Sequence, residues 1–397
     1  MKIVVCNVGS TSFKFQLLDM EDETQRARGY IERVGESISI VNFWLNDLKI
    51  SSGERNVPTI KSAVKIALEF LLDPNNSLLS SIDDIDGIGF KTIQAGDKNG
   101  SVILDNDVLR AMEDYSSLAP AHNPPYLEAI YVFKELLPHT NLVGVFEPGF
   151  HVDIPDYAKV YGVPYEWIEK YGVVKYGYHG ASHRFITSQT LKLLQLDPNN
   201  HKIISIHLGG SSSLCAFMNG KSIDTTMGFT PQSGLIQGAR IGDIDPFVFP
   251  YIMEKKKISL EEALVECSKD GGLKGLSGIS ADMREINSEI ENGNDRASLA
   301  RNKFIYDIKR YIGEYIVLME GVDAITFTGG IGQKDSALRK EILSSLSFLG
   351  MTIYEEKNLN HEEIVSGQNS KIVALVLETN EELVVARETK KVIMQSS

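Results

Sequence analysis

Cysteine is scarce in this chain: Cys6, Cys215 and Cys267 are the only three in 397 residues. They are odd in number and far apart, with no CxxC pair and no Cys/His cluster at zinc spacing. That excludes a disulfide framework and a structural zinc site. Long apolar runs are also missing. Stretches such as Ile372 to Leu377 fall far short of the ~20 residues that span a bilayer. The N-terminus passes straight into Lys2-Ile3-Val4-Val5-Cys6-Asn7 with no small-residue cleavage site, so no signal peptide is expected. Positive charge is in deficit, with 40 Lys and Arg against 53 Asp and Glu. Such a balance argues against binding to nucleic acid or to an anionic membrane, though it allows a local basic pocket for a small anion. The expectation is a soluble cytoplasmic protein with reduced thiols.

What remains is ordinary globular composition. Hydrophobic residues make up 43% and charged residues 23%, which rules out disorder, collagen and coiled coil. The length suits about two to three domains. Two segments about 200 residues apart resemble each other: Ile3-Val4-Val5-Cys6-Asn7-Val8-Gly9-Ser10-Thr11-Ser12 and Ile204-Ser205-Ile206-His207-Leu208-Gly209-Gly210-Ser211-Ser212-Ser213. Each is a β-rich run, a Gly/Ser turn, and then strand-like sequence again (Phe13 to Leu18, Leu214 to Met218). That pattern predicts a β-hairpin with a small-residue tip. Its recurrence suggests two related domains, against the alternative of a chance likeness between common turns. Apolar residues at helical spacing predict helices over Pro58 to Leu72, Asn123 to Leu137 and about Ala300 to Met319. The last feeds a buried strand, Val322 to Phe327, a glycine turn at Thr328-Gly329-Gly330-Ile331-Gly332, and a new helix from about Asp335. This is an α/β unit, whose ligand belongs at the strand's carboxyl end.

Small residues let backbone N–H groups approach phosphate oxygens, and hydroxyls add donors. Asn7 to Lys14 supplies amides, hydroxyls (Ser10, Ser12) and one ammonium; His207 to Ser213 and Gly329 to Gly332 offer two more such loops. None is a Walker loop, because GxxxxGK[ST] does not occur. Each alone is an unremarkable turn; three together point to a nucleotide. Tyr176-Gly177-Tyr178-His179-Gly180-Ala181-Ser182-His183 is the densest polar cluster. Its glycines argue against a helix, and no Glu completes HExxH, so an anion-facing His179 is favoured over a metal pair. Arg240-Ile241-Gly242-Asp243-Ile244-Asp245 and Asp282-Met283-Arg284 each read equally well as a local salt-bridged turn.

Taken in order, these motifs resemble the acetate kinase family, within the acetate and sugar kinase, heat-shock chaperone and actin superfamily. The resemblance runs nearly end to end. It takes in Asn7 to Phe15, Ala119-Pro120-Ala121-His122-Asn123-Pro124, Tyr176 to His183, Asp224 to Pro231 and Gly242 to Pro246, then Leu276 to Arg284, Phe327 to Gly332 and Asn380-Glu381-Glu382-Leu383. It implies an α/β protein of two related actin-like (ribonuclease H-like) domains, each a mixed sheet flanked by helices, with an interdomain cleft. The first would span 1–148 plus about 384–397, the second 149–383. It also implies a homodimer that moves the ATP γ-phosphoryl group reversibly to a carboxylate, giving ADP and an acyl phosphate, with Mg²⁺. Carried over by motif, Asn7 and Glu381 would hold Mg²⁺, and Glu147, His179 and Arg240 would be catalytic. Ser10, Ser12, Lys14 and the His207-Leu208-Gly209-Gly210-Ser211 loop would take phosphates. Asp282, Met283 and Arg284, with Gly330, Ile331, Gly332, Gln333 and Lys334, would hold the nucleoside. The acceptor would meet Lys91, Ile93, Ala121, Tyr178 and Pro231.

The departures from the family concentrate in this site. Lys91 stands for an arginine that grips the substrate, exchanging a planar fork for one flexible ammonium. Glu147 and Pro148 stand where the family has Asp and Thr. Ala121 for leucine and Tyr178 for phenylalanine suggest a larger or more polar acceptor than acetate. Gly210-Ser211 replaces Asn-Gly, placing a Cβ where phosphate would approach. Lys91, Gln94 and Ser211 together leave open a second reading, a catalytically weak paralogue that senses nucleotide or acyl phosphate.

Overall fold

A computed structural model describes residues 1–116 and 122–396. The chain divides into two compact units, Met1–Phe150 with Asn380–Ser397, and His151–Thr379. Glu381 therefore lies in the first unit, whereas the expected boundary at 383 would have put it in the second.

The first unit is built on eight strands: β1 (Lys2–Gly9), β2 (Ser12–Asp19), β3 (Thr24–Glu32), β4 (Ser39–Leu45), β5 (Leu48–Arg55), β6 (Gly87–Thr92), β7 (Ser101–Ile103) and β8 (Asn141–Phe146). Their order is β5-β4-β3-β2-β1-β6-β8-β7. β1 to β5 form an antiparallel meander, while β1, β6 and β8 run parallel. β1 reads as continuous apolar sequence because both of its faces are covered. Val4, Cys6 and Val8 join the core that includes residues of the helices Ile60–Leu72 and Asn123–Leu136. Ile3 and Val5 meet Val385, Ala386 and Ile393 of the helix Glu381–Ser396. Gly89 permits that second contact: a Cβ there would stand 2.3 Å from Thr389 Oγ1.

In the second unit, β9 (Lys202–Leu208), β10 (Ser212–Met218), β11 (Lys221–Thr225), β12 (Ala324–Thr328) and β13 (Val373–Val376) are ordered β11-β10-β9-β12-β13. β11, β10 and β9 are antiparallel, and β9, β12 and β13 parallel. The series β3-β2-β1-β6-β8 of the first unit has the same order and the same directions. One face, with Ile204, Ile206 and Leu208, packs on Phe304, Ile308, Tyr311, Ile312 and Tyr315 of the helix Asp295–Leu318. The other is buried yet polar. Against the helix Gly180–Leu194, Ser205 meets His183 and Thr326 Oγ1 lies 2.8 Å from Thr190 Oγ1.

Both expected hairpins are present, as β1–β2 and β9–β10. Two expectations fail. The glycines of the 176–183 segment do not prevent a helix, which begins at the second of them, Gly180. Residues 329–334 are a short helix rather than a plain turn, because Gly329 (φ +77°) makes the corner alone and leaves the rest free to coil.

Candidate functional site

In the first unit, the β1–β2 register sets Asn7 opposite Lys14, two residues below the hairpin tip where Ser10 is exposed and Ser12 half-buried. Asn7 and Lys14 line a small polar cavity of about 110 Å³ with Gln16, Tyr30 and Glu382. Lys14 Nζ sits over the Tyr30 ring, 5.2 Å from its centroid. The Tyr126 hydroxyl donates to Asn7 Oδ1 at 3.3 Å.

Three charged residues converge near this point. Lys91 projects from the carboxyl end of β6, Glu147 follows β8, and Glu381 opens the helix Glu381–Ser396. The Lys91 ammonium pairs with Glu381 Oε2 and lies 3.5 Å from Glu147 Oε1; the side chains are 19%, 15% and 3% exposed. Burial alone would lower the lysine pKa. The carboxylates of Glu381 and Glu147 outweigh it and hold the ammonium well above the ordinary lysine range. Lys91 was expected to lie open to the substrate; in this structure its ammonium is held by the protein's own acids. Ile93 is half-buried beside it, and Ala121 lies outside the described residues. Gln94 is a loop staple, its Oε1 accepting from the backbone N–H groups of Ala95 (3.0 Å) and Gly96 (2.9 Å).

The fit to Mg²⁺ is chemical. Asn7 and Glu381 offer hard oxygen donors, and the Lys91 pairings already place one positive charge against two carboxylates. Among the described residues no group of three or more His, Cys, Asp or Glu forms a protein-only cage.

In the second unit, His179 adopts φ 57° directly before the helix Gly180–Leu194. Its ring centroid is 4.4 Å from that of His207 at the end of β9. Ser213 Oγ is 2.8 Å from His179 Nδ1 and 2.8 Å from His183 Nε2, so the two histidines share a hydroxyl. Arg240 does not pair with Asp243, which accepts from Gly234 N at 2.8 Å and lies 3.5 Å from Arg310. Its Nη1 donates instead to Ser211 Oγ (3.0 Å), Gln237 Oε1 (3.3 Å) and Pro231 O (3.5 Å). The Ser211 side chain is thus turned toward Arg240 and Gln237. The Tyr178 hydroxyl, expected to make the acceptor pocket more polar, donates to Phe229 O at 2.8 Å.

A cavity of about 730 Å³ opens beside the Gly209–Gly210 loop. Asp282, Met283, Arg284, Gly330, Ile331 and Lys334 line it, as do Ser280, Ala281, Asn287, Asp335, Ser336 and Ala337, which sequence reading missed. Of these, Asp335 carried a legible signal: it caps the helix Ser336–Ser344, accepting from Leu338 N at 2.8 Å. Leu208 is fully buried, and the Gln333 side chain turns away, donating to Leu377 O at 3.2 Å. Asp282 caps the helix Met283–Glu291, and its hydrogen bonds with the Arg284 guanidinium bring its pKa down to about 2. Arg339 was also missed. Wholly buried, its guanidinium donates to the carbonyls of Gly332 (2.8 Å) and Gln333 (2.7 Å), pinning the end of the helix Gly329–Lys334.

Against known proteins, the family model described as "Acetokinase family" matches residues 2–387. The chain is 40% identical over 400 residues to an acetate kinase of Clostridium novyi, covering 100% of both. It is 42% identical over 399 residues to one of Clostridium kluyveri, covering 100% of this chain and 98% of the relative. The crystal structure of Porphyromonas gingivalis acetate kinase superposes with a TM-score of 0.91 at 34% identity, over 99% of both chains. That of a Francisella tularensis propionate kinase gives 0.91 at 34%, over 98% of this chain and 99% of the other.

Proposed function

The chain belongs to the acetokinase family, and on that premise we propose that it moves the γ-phosphoryl group of ATP to a short-chain carboxylate, making an acyl phosphate and ADP, and runs the reverse. The observation that carries this reading is the end-to-end match to acetate kinases at about 40% identity.

An aliphatic carboxylic acid is already ionised at pH 7, so little base chemistry is required. The work is to bring two anions together and offset charge on the transferring group. Arg240, oriented by Ser211 and Gln237, and His179, held by Ser213, supply fixed donors for its equatorial oxygens. Lys14 and the 207–211 loop take the nucleotide phosphates, and the 730 Å³ cavity bordered by Asp282 to Arg284 and Gly330 to Lys334 takes the nucleoside. Asn7 and Glu381 would hold Mg²⁺, which when bound neutralises phosphate charge. Glu147 orients the groups around Lys91.

Ser211 and Gln94 both have partners within the fold, so they are accommodated substitutions and no observation favours the sensor reading. Because the Tyr178 hydroxyl is engaged by Phe229, the acceptor expected is small and apolar-tailed, of the acetate or propionate class. A homodimer is supported by exposed aromatic side chains on the second unit, among them Tyr157, Tyr165, Trp167, Tyr171, Phe247 and Tyr251. A cytoplasmic setting follows from the need for ATP.

The test is hydroxylamine trapping with Mg·ATP and a panel of acetate, propionate and butyrate. Acyl hydroxamate is expected with at least one acid. None with any of them, from folded protein, would contradict the reading.

A further inference from the structure

Lys91, Glu147 and Glu381 come from three separate elements and share one mostly buried position. Two carboxylates close together in low dielectric repel unless a cation stands between them. Here that cation is a side chain. An ammonium is a compact point charge with three rotatable donors on a flexible stem, and lacks the rigid bidentate geometry of a guanidinium fork. In this structure it sits on Glu381, with Glu147 further off at 3.5 Å.

Glu381 is also the acid assigned above to the metal, and the inference rests on that reading. We propose that Lys91 is a resident counter-cation that competes with the divalent metal for Glu381, and that metal entry releases its ammonium toward the anionic acceptor. An ammonium and a divalent cation crowded on one carboxylate repel each other, so metal at Glu381 weakens the hold of that acid on Lys91. The lysine stem is flexible and anchored at the end of β6, so the displaced ammonium stays near Glu147 and turns toward any carboxylate or acyl phosphate bound there. Metal and acceptor then bind with positive coupling, and the coupling is reciprocal. The exchange of arginine for lysine at this position becomes a functional feature: a planar fork grips carboxylates bidentately, whereas a single ammonium on a flexible stem is more readily dislodged.

The test uses the full chain, Mn²⁺ as probe and no nucleotide, with free Mn²⁺ followed by electron paramagnetic resonance. Lys91→Met removes the charge and keeps the stem; Lys91→Arg strengthens the clamp. Lys91→Met is expected to bind Mn²⁺ on the order of tenfold more tightly than wild type, and Lys91→Arg several-fold more weakly. Saturating acetate should tighten Mn²⁺ binding to wild type about fivefold or more, and this effect should vanish in Lys91→Met. Unchanged or weaker Mn²⁺ binding by a folded Lys91→Met would overturn the proposal. If that variant fails to fold, an unaltered Mn²⁺ affinity in Lys91→Arg, together with no acetate effect in wild type, would overturn it equally. Failure of the carboxylate-kinase reading looks different: wild type would form no acyl phosphate while its Mn²⁺ affinity still responded to position 91.

Discussion

The hydroxyl of Ser213 stands 2.8 Å from Nδ1 of His179. It is equally close to His183 Nε2, whose other nitrogen faces Ser205 Oγ at 2.9 Å. A hydroxyl has one proton, so Ser213 can donate to only one of the two rings. Burial, with the neighbouring rings of His151 and His207 acting in the same direction, holds His183 well below the usual histidine range and therefore neutral. The chain Ser205–His183–Ser213 thus couples the orientation and tautomer of His179 to those of His183. Ser213→Ala is expected to lower kcat about tenfold, the equivalent of one buried hydrogen bond, with KM for ATP little changed. Ser213→Thr should restore the rate. Steady-state kinetics and ¹⁵N NMR of the His179 ring check this; an unchanged kcat and tautomer in Ser213→Ala would refute it.

Arg240 is oriented before any substrate arrives, by Ser211 Oγ and Gln237 Oε1. Removing one preoriented donor to developing charge costs on the order of 10²–10³ in kcat. Arg240→Ala should lose at least that much acyl hydroxamate formation while calorimetry finds ADP affinity preserved. A fully active variant would take Arg240 out of the mechanism.

His151 gives the fold a dependence on acid. It is 1% exposed, with Nδ1 2.8 Å from Ser222 Oγ and Nε2 3.1 Å from Tyr178 O. Burial brings its pKa down from 6.5 to about 4. Between those values the unfolded chain binds a proton that the folded chain refuses. Stability is therefore full above about pH 6.5 and is lost as pH falls toward 4, by about 3 kcal/mol for this residue. His183 acts in the same direction. Urea denaturation from pH 4 to 7 should give a shallower pH slope for His151→Gln than for wild type. Parallel slopes would contradict the assignment.

Gly329 carries the corner between β12 and the cavity-lining helix. With φ +77° and a Cβ that would stand 2.5 Å from the Leu208 carbonyl oxygen, it tolerates no side chain. Gly329→Ala should cost about 1–3 kcal/mol of stability and raise the Kd for ADP, read by thermal denaturation and calorimetry. Unaltered values for both would show that the close approach is not needed.

Much of this was legible in sequence because it depended on local pattern. β-rich runs around Gly/Ser tips located both hairpins, and 3.6-residue spacing located the helix Asp295–Leu318, short by five residues at the end that Asn294 caps. The repeat was visible for the same reason. What escaped depended on neighbours distant in sequence. Nothing near position 91 announces that its ammonium meets acids at 147 and 381. Ser213 and Arg339 likewise gain their roles only from elements folded against them. The start of the helix at Gly180 was missed because glycine propensity was allowed to outweigh a following stretch, Ala181 to Leu194, that packs well on β9 and β12.

The central claim, that phosphorus passes from nucleotide to a carboxylate oxygen, is tested most directly with ¹⁸O-labelled acetate or propionate, Mg·ATP and ³¹P NMR of the product. The account predicts an acyl phosphate whose phosphorus bears one ¹⁸O, in the bridge, shifted upfield from the unlabelled signal. Phosphorus released from ATP without ¹⁸O, as inorganic phosphate alone, would contradict it.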